Sequence, residues 1–221
     1  MLPTVFVAIF GTVLVYGLTA MPVARALNVA GLGRTLVLIV SGHPWAREVG
    51  SALKRSGVAV RMWVGPLEDQ SAARAAGLDA DRGRIMVDAI SREAELEEVT
   101  DAVFLTPSDD FNTLGAAELR GELGDRHVYR VAPHPDDPHL LPPASEGGIL
   151  GNRSLTHAEL DRWFAAGARL ETREHNPGPR SAPHDVPLFA VAPSGRLRIA
   201  ADGRALNVQP GDTVIVLVRP A

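Results

Sequence analysis

Two short stretches of this chain hold residues whose types and spacing could do chemistry. The first is Ser41-Gly42-His43-Pro44-Trp45-Ala46, which follows a continuous apolar run and opens a helix-like stretch. At such a strand-to-helix turn the phosphates of a dinucleotide rest on the helix's first N–H groups, and glycines let the backbone come close. Of a Gly-x-Gly-x-x-Gly pattern only Gly42 remains, and Pro44 stands where the second glycine would be. Proline takes away a backbone donor that a phosphate would use. The acidic residue that would hold the ribose hydroxyls is missing too, since Gly65 lies about where it is expected. Each lost charge-assisted hydrogen bond forfeits ~1.5–3 kcal/mol, so losing two weakens binding by roughly two to four orders of magnitude. Gly42, His43, Trp45 and Ala46 are thus candidates for a degenerate nucleotide turn, set against a turn that only joins strand to helix. The expectation is no cofactor, or weak binding of NAD or another nucleotide.

The second stretch holds His134, Asp136, Asp137 and His139 between prolines. These are metal-ligand types, but their spacing matches no defined site, and no metal is expected. There is no Gly-x-Ser-x-Gly elbow, no phosphate loop with lysine and no His-Glu-x-x-His helix, so no catalytic residue is assigned and the chain is not expected to be an enzyme. The absence of cysteine excludes disulfides and thiolate metal sites. A net charge of −4 without a basic cluster argues against a nucleic-acid partner.

The turn at Gly42 needs a sheet to hold it, and the chain supplies alternating strand-like and helix-like patches from Arg34 onward. Residues 35–40 (TLVLIV) suit a strand buried on both faces. Pro44 opens a helix with Trp45, Val49, Ala52 and Leu53 at helical spacing, and Gly57 stops it. Further strands are expected over 58–64, 84–90, 102–105 and 127–132. Helices are expected over 71–76 and 91–100, and after Ser108, whose following Asp109 and Asp110 suit a helix dipole. This is a Rossmann-like, doubly wound parallel sheet over residues 34–133. Residues 134–148 read as a linker, and 149–221 as a small C-terminal α+β or β-meander domain. In it Thr156 and Glu159 open a helix as a capping box, and strands follow over 168–175, 188–192, 197–200 and 213–218.

Ahead of the sheet, residues 1–20 (MLPTVFVAIFGTVLVYGLTA) carry no charge, and the first charged side chain is Arg25. Twenty helical residues reach ~30 Å, the thickness of a bilayer core. The reading is one N-terminal transmembrane helix over 1–24 and a juxtamembrane linker over 25–33. A cleaved signal peptide would want basic residues before the apolar run, and there are none. Arg25 and Arg34 follow the run, which places the downstream side in the cytoplasm and makes the chain a single-pass protein of the inner membrane.

With these residues in view, the sequence resembles the C-terminal end of bacterial monovalent cation:proton antiporters, where a last membrane helix leads into a cytoplasmic domain of the potassium-transport nucleotide-binding type. Residues 12–29 (TVLVYGLTAMPVARALNV) look like the end of that helix and its exit. Residues 37–53 (VLIVSGHPWAREVGSAL) are similar to the family's modified phosphate-loop strand. Residues 106–112 (TPSDDFN) are similar to a Thr-Pro-Asn-Asp-x-x-Asn turn, with Ser108 replacing Asn, and residues 187–218 look like its small β domain. The resemblance covers nearly the whole chain but only the tail of a larger transporter, without the helices that carry the family's ion-binding carboxylates. It implies a membrane-anchored cytoplasmic regulatory portion of a sodium (or other cation):proton antiporter. The implied partners are the transport helices or another copy of the chain, with a homodimer formed through the Rossmann-like domain. The rival readings are an anchored nicotinamide-dependent oxidoreductase and an inactive interaction module.

Overall fold

The computed structural model describes residues 35–83, 98–124, 126–135, 148–175 and 185–220. The expected membrane helix, its linker, the strand over 84–90, most of the helix over 91–100, and Asp136, Asp137 and His139 lie outside these residues. Among the described residues, no helix is long and apolar enough to cross a membrane.

Thr35–Ala221 forms one compact unit. Its first strand, β1 (Leu36–Val40), sets the architecture. Side chains alternate across a strand, and here both faces are buried. Val37 and Ile39 enter one apolar cluster, while Leu38 and Val40 enter another. Each such fully buried aliphatic side chain stabilises the fold by roughly 1.5–3 kcal/mol. Helix α1 (Pro44–Arg55) covers the first face with Trp45, Ala46, Val49, Ala52 and Leu53. Helix α3 (Asp109–Leu123) covers the second with Ala116 and Leu119. Between them in sequence come β2 (Ala59–Val64), α2 (Leu67–Ala75), β3 (Asp79–Arg82) and β4 (Asp101–Phe104). β5 (Val128–Arg130) and β6 (Gly148–Ile149) complete a six-stranded parallel sheet in the order β3-β2-β1-β4-β5-β6. The order reverses direction between β1 and β4, the place where open α/β sheets leave a crevice.

Two boundaries differ from the sequence reading, and one strand lies where none was expected. α2 begins at Leu67, ahead of the stretch over 71–76 read as part of a helix, because Pro66 supplies an extended residue before it and Glu68 and Asp69 suit its first turn. The strand beside β2 is Asp79–Arg82, a polar edge strand whose apolar signal is limited to buried Ala80. Main-chain pairing with β2 holds it, helped by Gln70 and Arg74 side chains donating to the Ala80 carbonyl, both at 2.9 Å. β6 falls at the end of the expected linker: Gly148 and Ile149 pair with Tyr129 and Arg130.

The C-terminal region adds α4 (His157–Ala165) and a four-stranded antiparallel sheet of β7 (Arg169–Glu174), β8 (Asp185–Val191), β9 (Leu197–Ile199) and β10 (Thr213–Val218). Thr156 caps α4 by accepting from the Glu159 N–H at 3.2 Å. The strand order is β7-β10-β8-β9, which corrects the expected meander. A meander would leave β10 at an edge. Its residues Val214, Ile215, Val216 and Leu217 are all buried, so it takes an inner position, and polar β7 (RLETRE) takes the rim. Helix α1 lies between the two sheets, and one apolar cluster runs from Val37 and Ile39 through Trp45 and Leu53 to Phe189, Ile215 and Leu217.

Candidate functional site

The crevice at the β1/β4 reversal is an open cleft of about 880 Å³. Ser41, Gly42, His43 and Pro44 form one wall at the end of β1, and Trp63, Val64, Gly65 and Pro66 form another at the end of β2. Thr106, Pro107 and Phe111 close the side beyond β4. The lining is mostly apolar, with aromatic surface from Trp63 and Phe111 and a few polar groups at Ser41, His43, Asp69 and Thr106.

The β1–α1 turn is shaped by its own backbone. The Ser41 N–H donates to the Trp63 carbonyl (3.1 Å), and the His43 N–H donates to Ser41 Oγ (3.1 Å). His43 occupies the N-cap of α1 with extended backbone and no capping side-chain bond, and Pro44 follows in the first turn. First-turn N–H groups have no intrahelical partner, so this helix end is electropositive.

Of the four candidate residues, the structure brings two to the cleft. Gly42 and His43 line it; Trp45 and Ala46 are turned away into the core, 2% and 0% exposed. Trp45 stacks on Phe164 of α4 at 6.0 Å between ring centroids. With a period of 3.6 residues, two positions further along the helix must face another way.

His43 also reaches back toward α4. Its Nε2 lies 3.2 Å from Asp161 Oδ1, and its ring meets His157 edge-on at 5.1 Å. Burial lowers the His43 pKa against the pull of Asp161, and burial together with the neighbouring His43 lowers that of His157. Both imidazoles therefore favour the neutral form. Among the described residues no group of three or more His, Cys, Asp or Glu could hold a metal ion.

Asp69 is a residue the sequence reading missed. It sits on the first turn of α2, and its carboxylate lies directly over Gly42: a Cβ placed there would overlap the Asp69 carboxylate and come within 2.6 Å of its Cβ. No carboxylate stands at Gly65 itself; the acidic residue among those lining the cleft is Asp69, set over Gly42. Arg47 stands behind it, donating from its guanidinium to the Gly42 carbonyl, with Nη1 3.8 Å from Asp69 Oδ1. The signal was the helix start at Pro66 with Glu68 and Asp69 in its first turn, which lies ahead of the stretch over 71–76 read as helical.

The β4–α3 turn is built differently. Buried Asn112 accepts from the Thr106 N–H (3.2 Å) and Thr106 Oγ1 (2.6 Å), and its amide donates to the Thr106 carbonyl (2.8 Å). Ser108 caps α3 by accepting from the Phe111 N–H at 3.3 Å. The Thr106–Asn112 stretch therefore bends back on itself and presents Thr106, Pro107 and Phe111 to the cleft.

No family model matches the chain, and no curated protein matches it. Among solved structures it is similar to a GsuK channel, with 14% identity over 84% of this chain and 36% of that one, at a TM-score of 0.44. It is similar to a GsuK channel bound to NAD, with 16% identity over 84% and 36% and a TM-score of 0.43. It is also similar to the GsuK RCK domain, with 14% identity over 83% and 44% and a TM-score of 0.42. The chain spans 36% to 44% of the length of these structures.

Proposed function

We propose that the chain is the membrane-anchored cytoplasmic regulatory portion of a monovalent cation:proton antiporter, not an enzyme, and that the cleft at the β1/β4 reversal is its ligand-sensing site. The observation that carries this reading is the cleft itself: open, largely apolar, and built at the position where sheets of this strand order take small ligands. The resemblance of residues 12–29, 37–53, 106–112 and 187–218 to the tail of such transporters supports the transport context. The charge-free run over 1–20 followed by Arg25 and Arg34 supports an inner-membrane anchor with the α/β unit in the cytoplasm. In this reading the chain's partners are transport helices or a second copy of itself, and occupancy of the cleft shifts the transporter between states by its differential affinity for them.

The test is transport in everted membrane vesicles that carry the membrane protein encoded next to this chain, with and without the chain. Cation-dependent collapse of a pH gradient should change when the chain is present. Unchanged exchange, or a neighbouring frame without membrane spans, would overturn the reading.

A further inference from the structure

Asp69 occupies the volume over Gly42 that a ligand phosphate would need. In a phosphate-binding turn the glycine leaves its Cα face bare so that the anion can approach the helix N–H groups. Here that bare face is already covered by a carboxylate of the same chain. The first turn of α1 carries no acidic residue of its own; carboxylates reach this helix end from α2, where Asp69 lies over Gly42, and from α4, where Asp161 meets the N-cap residue His43. Arg47 holds the arrangement from behind, bonded to the Gly42 carbonyl and 3.8 Å from the Asp69 carboxylate. An incoming phosphate would meet a like charge in a partly desolvated cleft and would have to displace it. A sugar hydroxyl or an amino group would instead find an acceptor. In the same cleft, Phe111 and the small exposed part of Trp63 offer aromatic surface to a planar ring.

We infer that Asp69 is a specificity-determining plug, which closes the phosphate position over Gly42 and sets the cleft to take a phosphate-free, ring-bearing polar ligand of the nucleoside class. This rests on the cleft being the ligand site of the proposed function, and it concerns which chemistry that cleft admits. The same geometry makes Arg47 a latent phosphate clamp. Without the Asp69 side chain, the guanidinium beside Gly42 faces an open position at an electropositive helix end.

The experiment is calorimetric titration of the full-length chain with adenosine, ADP and NAD, comparing wild type with Asp69→Ala, Asp69→Asn and Asp69→Ala/Arg47→Ala. Adenosine should bind wild type at least tenfold more tightly than ADP or NAD, neither of which should bind at micromolar concentration. Asp69→Ala should raise ADP affinity at least tenfold, and Asp69→Asn, which keeps the shape and removes the charge, should give part of that gain. The double variant should lose it. The gain must be confined to phosphate-bearing probes, so a parallel change for adenosine would overturn the inference. Micromolar ADP or NAD binding to wild type would overturn it as well, as would unaltered ADP affinity in a folded Asp69→Ala. Failure of all three probes in every variant would overturn the ligand class assigned here. The vesicle assay, which needs no added ligand, would still decide the transport reading separately.

Discussion

The turns after β1 and after β4 face each other across one cleft and begin helices in the same topological position, yet they are built on opposite terms. The β4–α3 turn satisfies itself: Ser108 caps the helix, Asp109 and Asp110 complement its dipole, and Asn112 ties up both backbone groups of Thr106. The β1–α1 turn has no capping side chain and no acidic residue in its first turn, and it borrows a carboxylate from the neighbouring helix. A turn whose polar groups are met locally is a structural joint. One that leaves its helix start uncapped beside an open cleft keeps polar groups for a ligand.

The largest effect should come from breaking the self-satisfied turn. Asn112→Ala takes this partner from the part-buried N–H and carbonyl of Thr106 and empties a buried position, at a cost of about 1–3 kcal/mol. For a chain of this size that lowers the melting temperature by roughly 2–12 °C. A melting temperature equal to wild type would show that the Thr106 contacts carry no weight. Ser108→Ala removes only the cap and should cost about 1 kcal/mol by denaturant titration. No loss there would erase the distinction drawn between the two helix starts.

The smallest effect is expected on the open side and depends on pH. Unfolded, His43 and His157 take up a proton near the ordinary value of 6.5; folded, burial lowers both. In the interval below that value the unfolded chain binds more protons than the folded one, so stability rises with pH. The contribution is present above about pH 6.5 and is lost as pH falls. The groups facing these rings are Asp161 of α4, Arg47 of α1, Asp69 of α2 and Asp109 of α3, and the three carboxylates oppose the shift without reversing it. The denaturation midpoint should therefore be lower near pH 5 than near pH 7.5, and His157→Gln should shrink the difference. An equal or larger difference in that variant would remove the pair as its source.

Much of the frame could be read from residue order. β1 is a run of apolar residues too continuous for one buried face, and both its faces proved buried. Pro44 opened α1, Ser108 capped α3 and Thr156 capped α4, since these signals act within one turn of chain. The same locality explains what stayed hidden. β3 is nearly all polar and exists because β2 offers it an unpaired edge, and β10 lies inside its sheet because only there are its four apolar residues covered on both sides.

The site divides along the same line. Sequence by itself determined that a helix starts just after a buried strand at Gly42, and that Pro44 weakens the turn as a phosphate cradle, because glycine and proline act on their own backbone. Only the tertiary structure decided that Trp45 and Ala46 face the core, since a helix's facing depends on what packs against it. It alone decided that Asp69 lies over Gly42. The two are 27 positions apart in the chain, and it takes the parallel pairing of β1 with β2 to set the helices that follow them side by side.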